Sequence, residues 1–208
     1  MSREPIFTIG HSDRTWEELV EALKDCAVKF VVDVRTTPYS TRYPQFNMEV
    51  LRESLSRSAL KYLHLGAALG ARPNDPRLLD GDGRVWYPKV RQTAEFKGAI
   101  QRIEKGADSG HRLALLCMEP HPCECHRFPM IAYQLARDGY EVQHILRDGS
   151  VKTQAEIESE LLERFANKIP QPNLFQPEVG RAERLEAAYE QLNIEIGWKP
   201  RPADLIED

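Results

Sequence analysis

Leu113-Ala-Leu-Leu-Cys-Met-Glu-Pro-His-Pro-Cys-Glu-Cys-His-Arg127 is an apolar run that ends in cysteine, glutamate, histidine and arginine. Its order reads as a buried strand over 112–118 that delivers reactive side chains into a turn. A helix over 129–137 follows, closed by Gly139, a residue suited to the left-handed C′ position. Thiol, carboxylate, imidazole and guanidinium groups are thereby expected at the carboxyl end of a strand, where open α/β sheets hold their ligands.

The same grammar repeats on either side of this stretch. Ile6-Phe-Thr-Ile9 is a short β-prone run stopped by Gly10-His-Ser12. Thr15 and Glu18 then have the capping-box spacing, and Trp16, Leu19, Leu23, Cys26 and Ala27 recur on one helical face. Phe30-Val-Val32 makes a second strand ending at Asp33-Val-Arg35, so strand, helix and strand form a right-handed parallel crossover. Pro38 and Pro44 keep 36–47 irregular, Asn47 is placed to cap a helix carrying Met48, Leu51 and Leu55, and 60–65 reads as a third strand. The Gly- and Pro-containing connection 66–88 is long enough to suggest a lid or binding loop. Phe96, Ile100 and Ile103 mark a helix, 140–146 a fifth strand, and Thr153 with Glu156 a second capping box ahead of Ile157, Leu161 and Phe165.

This alternation predicts an α/β fold, a three-layer α/β/α sandwich with a mainly parallel, Rossmann-like sheet of about five strands, in the order 3-2-1-4-5. That order brings Gly10-His-Ser12 opposite Cys117-Met-Glu119, with Arg35 alongside. The α/β domain is expected over 1–167, and 168–208 as a linker with Pro170, Pro172 and Pro177, then a polar helix over 181–192 packing back loosely. No internal repeat is visible.

Composition narrows the classes of function. No apolar run reaches the roughly 18 residues that span a bilayer, and the polar start has no signal-peptide core, so a cytoplasmic protein without a membrane partner is expected. Four cysteines, three of them between Cys117 and Cys125, argue for reduced thiols rather than a disulfide framework. The net charge of −4 speaks against a wholly basic nucleic-acid coat, yet it is unevenly spread. Residues 35–91 hold ten basic against five acidic side chains, whereas 153–208 hold six against twelve, so the middle attracts anions that the tail repels.

Thr8-Ile-Gly-His-Ser12, Asp33-Val-Arg35 with Pro38 and Ser40, Pro44-Gln-Phe46, Tyr62 with His64-Leu-Gly66, Leu116-Cys-Met-Glu119 and Cys125-His-Arg127 together resemble the family known as domain of unknown function 488. The resemblance runs over 6–146 and implies an α/β domain without an assigned activity. Where that family has Leu-Gly-Gly, this chain reads Leu69-Gly-Ala71.

Three chemistries suit the residues. In the first, Arg35 and Arg127 hold an anion, Glu119 with His11 or His126 exchanges a proton, and Ser12 orients the substrate, a phosphate-bearing nucleotide or nucleic-acid component. Arg42 and Arg72 would extend the binding face, and Tyr39, Tyr43 and Phe46 could stack on bases. In the second, Cys125 at a helix start beside Arg127 is an activated thiol for nucleophilic or sulfur-transfer chemistry, although Pro120 and Pro122 stretch the loop beyond a compact rhodanese-like cradle. In the third, a non-enzymatic sensor or nucleic-acid-binding module uses the same pocket. Cys117, His121, Cys123, Cys125 and His126 are metal-ligand types, but no second Cys pair completes a structural zinc spacing, so neither metal nor other cofactor is expected. No feature specifies an oligomeric state.

Overall fold

The computed structural model describes residues 3–171 and 178–201. Its centre is a six-stranded sheet in the order β3-β2-β4-β1-β5-β6. The strands are β1 (Ile6–Gly10), β2 (Phe30–Asp33), β3 (Lys61–His64), β4 (Leu113–Cys117), β5 (Val142–Ile145) and β6 (Val151–Thr153). The first five run parallel, and β6 pairs antiparallel with β5.

Alternate side chains of each strand supply two opposite cores. Phe7, Ile9, Val31, Ala114 and Leu116 pack with Leu19 and Leu23 of α1 (Trp16–Asp25) and Leu51 and Leu55 of α2 (Met48–Arg57). Ile6, Val32, Leu113 and Leu115 pack with the α3 turn (Gly66–Leu69), the α4 turn (Tyr87–Val90) and α5 (Ala94–Asp108). The same core takes Ile131 and Leu135 from a π-helical turn, Arg127–Ala132, that runs into α6 (Tyr133–Arg137). A third cluster joins Ile157 and Leu161 of α7 (Gln154–Arg164) to Ala188, Tyr189 and Leu192 of α8 (Arg181–Ile196). No helix among the described residues is long and apolar enough to cross a membrane.

Three expectations are corrected. The sheet, mainly parallel as expected, has six strands rather than about five, and β4 lies between β2 and β1 in place of the order 3-2-1-4-5. A strand apolar on both faces suits any interior position, so periodicity alone leaves the order open. Side chains decide it locally: Thr8 and His144 are register partners on β1 and β5, and Thr8 Oγ1 donates to His144 Nδ1 at 2.8 Å inside the core. Second, the helix after Cys125 opens with a π turn, in which Pro129 lacks the N–H of a regular ladder. Third, Asn47 caps α2 without a side-chain bond; its Oδ1 instead accepts from Ser40 N at 2.6 Å and ties down the preceding loop.

Other local readings hold. Thr15–Glu18 and Thr153–Glu156 both form complete capping boxes, and Gly139 closes α6 at φ 85°. The 66–88 connection is pinned from outside: Asn193 of α8 accepts from Tyr87 N and donates to Val85 O, at 2.8 and 2.9 Å. Of the expected linker prolines, Pro172 and Pro177 lie outside the described residues.

Candidate active site

Parallel register lines up three strand ends, pairing Gly10 with Cys117 and Asp33 with Leu116. His11, Arg35 and Glu119 therefore emerge at one edge of the sheet, even though β1 and β2 are not neighbours. The approach is close at Gly10, where any Cβ would sit 1.8 Å from the Glu119 carbonyl oxygen. Glycine is thus the residue that lets the β4 turn fold over the end of β1. Ser12 follows in the left-handed region at φ 46° and donates its N–H to Met118 O at 2.7 Å, while its hydroxyl reaches only Asp13.

Two buried clusters share this edge. The first is built on β2. Arg35 gives Nε and Nη2 to the two Asp33 oxygens at 2.9 and 2.6 Å, a further Nη2 bond to Phe46 O at 2.9 Å, and Nη1 to His11 Nε2 at 3.1 Å. Tyr62 OH adds a 2.8 Å bond to Asp33. Because the Arg35 guanidinium can only donate, His11 Nε2 accepts and its Nδ1–H donates to Ser12 O at 3.0 Å. Burial, with Arg35 alongside, lowers the His11 pKa to about 4 and keeps the imidazole neutral at neutral pH. Arg35 is thus the partner of Asp33, and His11 is an acceptor held inside this network.

The second cluster is built on β4 and the turn after it. Cys117, Cys125 and His126 are all buried, and their ligand atoms lie within 4.8 Å of one another. His126 Nδ1 is 3.6 Å from Cys125 Sγ and 3.8 Å from Cys117 Sγ, while its Nε2–H donates to Val34 O at 3.3 Å. Arg127 N–H points at Cys125 Sγ, 3.4 Å away. Cys117 and Glu119 alternate onto one side of the strand end, and Cys117 Sγ–H donates to Glu119 Oε2 at 3.1 Å. Burial pushes the Cys125 thiol up, but the Cys117 hydrogen bond and the positive charges of Arg127 and His126 outweigh it and hold the thiol well below its usual range. Burial, then the neighbouring Cys125, pushes Cys117 well above it. Burial also raises the Glu119 carboxyl, with Cys125 adding to the effect.

Arg127 is fully buried and carries Glu119 O and Pro120 O on Nη1 and Nη2, at 2.7 and 3.1 Å, while its Nε finds no partner. The turn of chain bearing Glu119 is thereby bolted to the start of the π-helical segment that follows Cys125 and His126. A model of the family described as Domain of unknown function DUF488 matches residues 15–134, more than half of the chain. The chain belongs to the DUF488 family. Neither a curated protein nor a solved structure matches it.

The DUF488 match includes Arg35, Arg42, Arg72, Glu119, Cys125, His126 and Arg127, and begins after His11 and Ser12. The fold brings Glu119, Cys125, His126 and Arg127 together with Cys117, and sets His11 and Arg35 beside them. It leaves Arg42 and Arg72 exposed, Arg42 over the Tyr43 ring at 5.3 Å and Arg72 bonded through its N–H to Thr36 Oγ1 at 3.2 Å. Phe46 is buried, with its ring 4.4 Å from that of His11, so it stacks on the site and not on a base. His121 pairs with Glu160 at 3.4 Å, and Cys123 belongs to the core under α7 and α8; neither joins the cluster.

Sequence reasoning left three participants of this DUF488 site without a role. Cys117 had a visible signal, since it ends the apolar run two residues before Glu119. Tyr62 had a weaker one, a polar hydroxyl on a strand beside Asp33. Tyr87 had none. It is delivered across the sheet edge by the 66–88 connection, and burial together with the charge of Cys125, Cys117 and Glu119 raises its phenol pKa.

Proposed function

We propose that this DUF488 chain is an enzyme that acts on an anionic, phosphate-bearing substrate, a nucleotide or a nucleic-acid component, with Glu119 exchanging the proton. The observation that carries the reading is the contrast in access at the sheet edge. Glu119 is only half-buried, whereas His11, Arg35, Cys117, Cys125, His126 and Arg127 beneath and beside it are buried. A carboxylate at the surface of a dry polar cluster is the group a substrate meets first, and a proton carrier must lie within hydrogen-bond reach of its target.

Substrate recognition falls to Arg42 and Arg72, because Arg35 is consumed by Asp33 and Phe46 O, and Arg127 by the Glu119 and Pro120 carbonyls. Both exposed arginines sit on segments tied to the site. Tyr43 under Arg42 meets the His11 ring edge-on at 6.2 Å, and Thr36, bonded to Arg72 N–H, directly follows Arg35. Tyr39, 65% exposed, is the aromatic free to stack on a base.

A second reading is favoured by one specific feature. Two groups, the Arg127 amide and His126 Nδ1, converge on Cys125 Sγ, an arrangement that stabilises a thiolate nucleophile. Assays with p-nitrophenyl phosphate, bis(p-nitrophenyl) phosphate and nucleoside monophosphates test the first reading against the second. Turnover that survives Cys125→Ser and collapses in Glu119→Gln is expected. The reverse ranking would assign the reaction to the thiol, and binding of nucleotides without turnover would make this edge of the sheet a sensor.

A further inference from the structure

Cys117, Cys125 and His126 come from two separate chain segments, the end of β4 and the turn before the π-helical segment, and nothing in their spacing resembles a zinc motif. In space they form a ligand set. A tetrahedral ion with bonds of about 2.3 Å to sulfur and about 2.0–2.1 Å to nitrogen requires S···N edges of roughly 3.5–3.6 Å. The edges at His126 Nδ1 measure 3.6 Å to Cys125 Sγ and 3.8 Å to Cys117 Sγ. We propose that this DUF488 site binds a thiophilic divalent transition metal, of the zinc class, through Cys117 Sγ, Cys125 Sγ and His126 Nδ1, with its fourth position open towards Glu119.

The surroundings match what such ligands need. Metal-bound imidazoles hand their second N–H to a carbonyl or carboxylate, which fixes the ring, and His126 Nε2–H already donates to Val34 O at 3.3 Å. The Arg127 amide is directed at Cys125 Sγ, as N–H groups are around metal thiolates. Charge closes as well. A dication with two thiolates and a neutral imidazole is neutral, and the Glu119 carboxylate is matched by the fully buried Arg127 guanidinium, which no carboxylate contacts in the present bonding pattern.

Three protein ligands leave a fourth position that water or a ligand can take. The Cys117 Sγ–H bond to Glu119 Oε2 at 3.1 Å sets that carboxylate beside the proposed ligand set, and the thiols would give up their protons when an ion binds. Two sulfurs and a nitrogen favour zinc, cobalt and iron over magnesium and calcium. The metal is measured without turnover, so the inference stands apart from the reading of this edge as an enzyme site.

The experiment uses the full chain, stripped with chelator under reducing conditions and titrated with Co2+ and Zn2+. Expected are about one equivalent of tightly held metal, the intense sulfur-to-cobalt charge-transfer absorption of thiolate ligation, and slower alkylation of Cys117 and Cys125, but not Cys26, by a thiol reagent, reversed by chelator. Cys117→Ser and Cys125→Ser should abolish the absorption, and Cys123→Ser should leave it intact. Should the serine variants not fold, protection of the wild-type thiols, mapped by mass spectrometry, still decides the matter. Failure to retain cobalt or zinc at micromolar concentrations would overturn the proposal, as would equal protection by Mg2+ or a Cys123→Ser loss as large as that of Cys125→Ser. Tight cobalt binding in a chain that turns over no phosphate ester would keep the metal site and remove the enzyme reading.

Discussion

Two buried polar clusters meet at the carboxyl edge of this sheet, and they differ in how completely their atoms are used. Around Asp33, the carboxylate receives Arg35 and Tyr62, and Arg35 is further divided between Phe46 O and His11. Around Cys125, bonds to sulfur are long, Arg127 Nε has no partner, and Glu119 is half-open to solvent. A saturated ion pair in a dry interior holds structure in place; groups with unused capacity are what a ligand or a reaction requires. The two are coupled through the backbone, since Val34, between Asp33 and Arg35, is the acceptor for His126.

The largest effect should come from breaking the saturated side. Asp33→Ala strands Arg35, 7% exposed, without its counter-ion and leaves the Tyr62 hydroxyl unpaired. Removing one partner of a buried ion pair costs about 3–5 kcal/mol, so chemical denaturation should show a loss of that order. Cys117→Ser leaves no charge behind and should stay near the ~1 kcal/mol typical of point variants. If Cys117→Ser proved the more damaging of the two, the division into a structural and a functional cluster would have to be reversed.

Next in size is the functional side. Glu119→Gln keeps the shape of the half-buried side chain but removes its capacity to take a proton, and should lower turnover of a phosphate ester by about 10²-fold with little change in melting temperature. A fall in stability matching the fall in rate would mean that Glu119 merely braces Cys117.

How much of this was legible in the sequence differs between the two clusters. The strand ends, both capping boxes and the meeting of His11, Arg35 and Glu119 at one edge follow from local pattern, because apolar runs and their stops are properties of neighbouring residues. The strand order depends on pairings such as Thr8 with His144, 136 residues apart in sequence, and β6 is three residues long with none of them buried. An Asp-Val-Arg motif does not by itself commit Arg35 to Asp33, two positions away, in place of an anion, and only the buried fork of hydrogen bonds decides it. The grouping of Cys117 with Cys125 and His126 depends on the return of the 118–126 turn, set by the close approach at Gly10 and by Arg127 gripping two carbonyls. Local spacing contains neither.

A smaller effect separates the clusters by pH. His11 has a folded-state pKa lowered from 6.5 to about 4, so the unfolded chain binds the proton more readily. Stability therefore falls as pH drops from 6.5 towards 4, by at most about 1.4 kcal/mol per pH unit for this group. Buried His144, lowered to about 3, adds a share of the same sign. Denaturation midpoints between pH 7 and 5 should decline in the wild type and decline less in His11→Gln. Parallel profiles for the two proteins would show that His11 is not the neutral acceptor of Arg35.

The smallest effect belongs to the exposed arginines, where the question is whether charge at the rim serves the site at all. Arg42 and Arg72 are exposed, so their contribution to folding is slight, and reversal to Glu should leave the unfolding free energy within about 0.5 kcal/mol, as at ordinary surface positions. Their contribution to an anionic substrate is long-ranged and screened, with a Debye length near 10 Å at 0.1 M salt. If they attract the phosphate, nucleotide binding by the wild type should weaken steadily as salt rises, and Arg42→Glu with Arg72→Glu should weaken it at low salt and flatten that dependence. Reversal at Arg57, paired with Glu53 on the exposed side of α2, is the control that should change neither. Identical salt slopes in all three proteins would return Arg42 and Arg72 to the solvated surface and leave recognition to the half-open Glu119 edge alone.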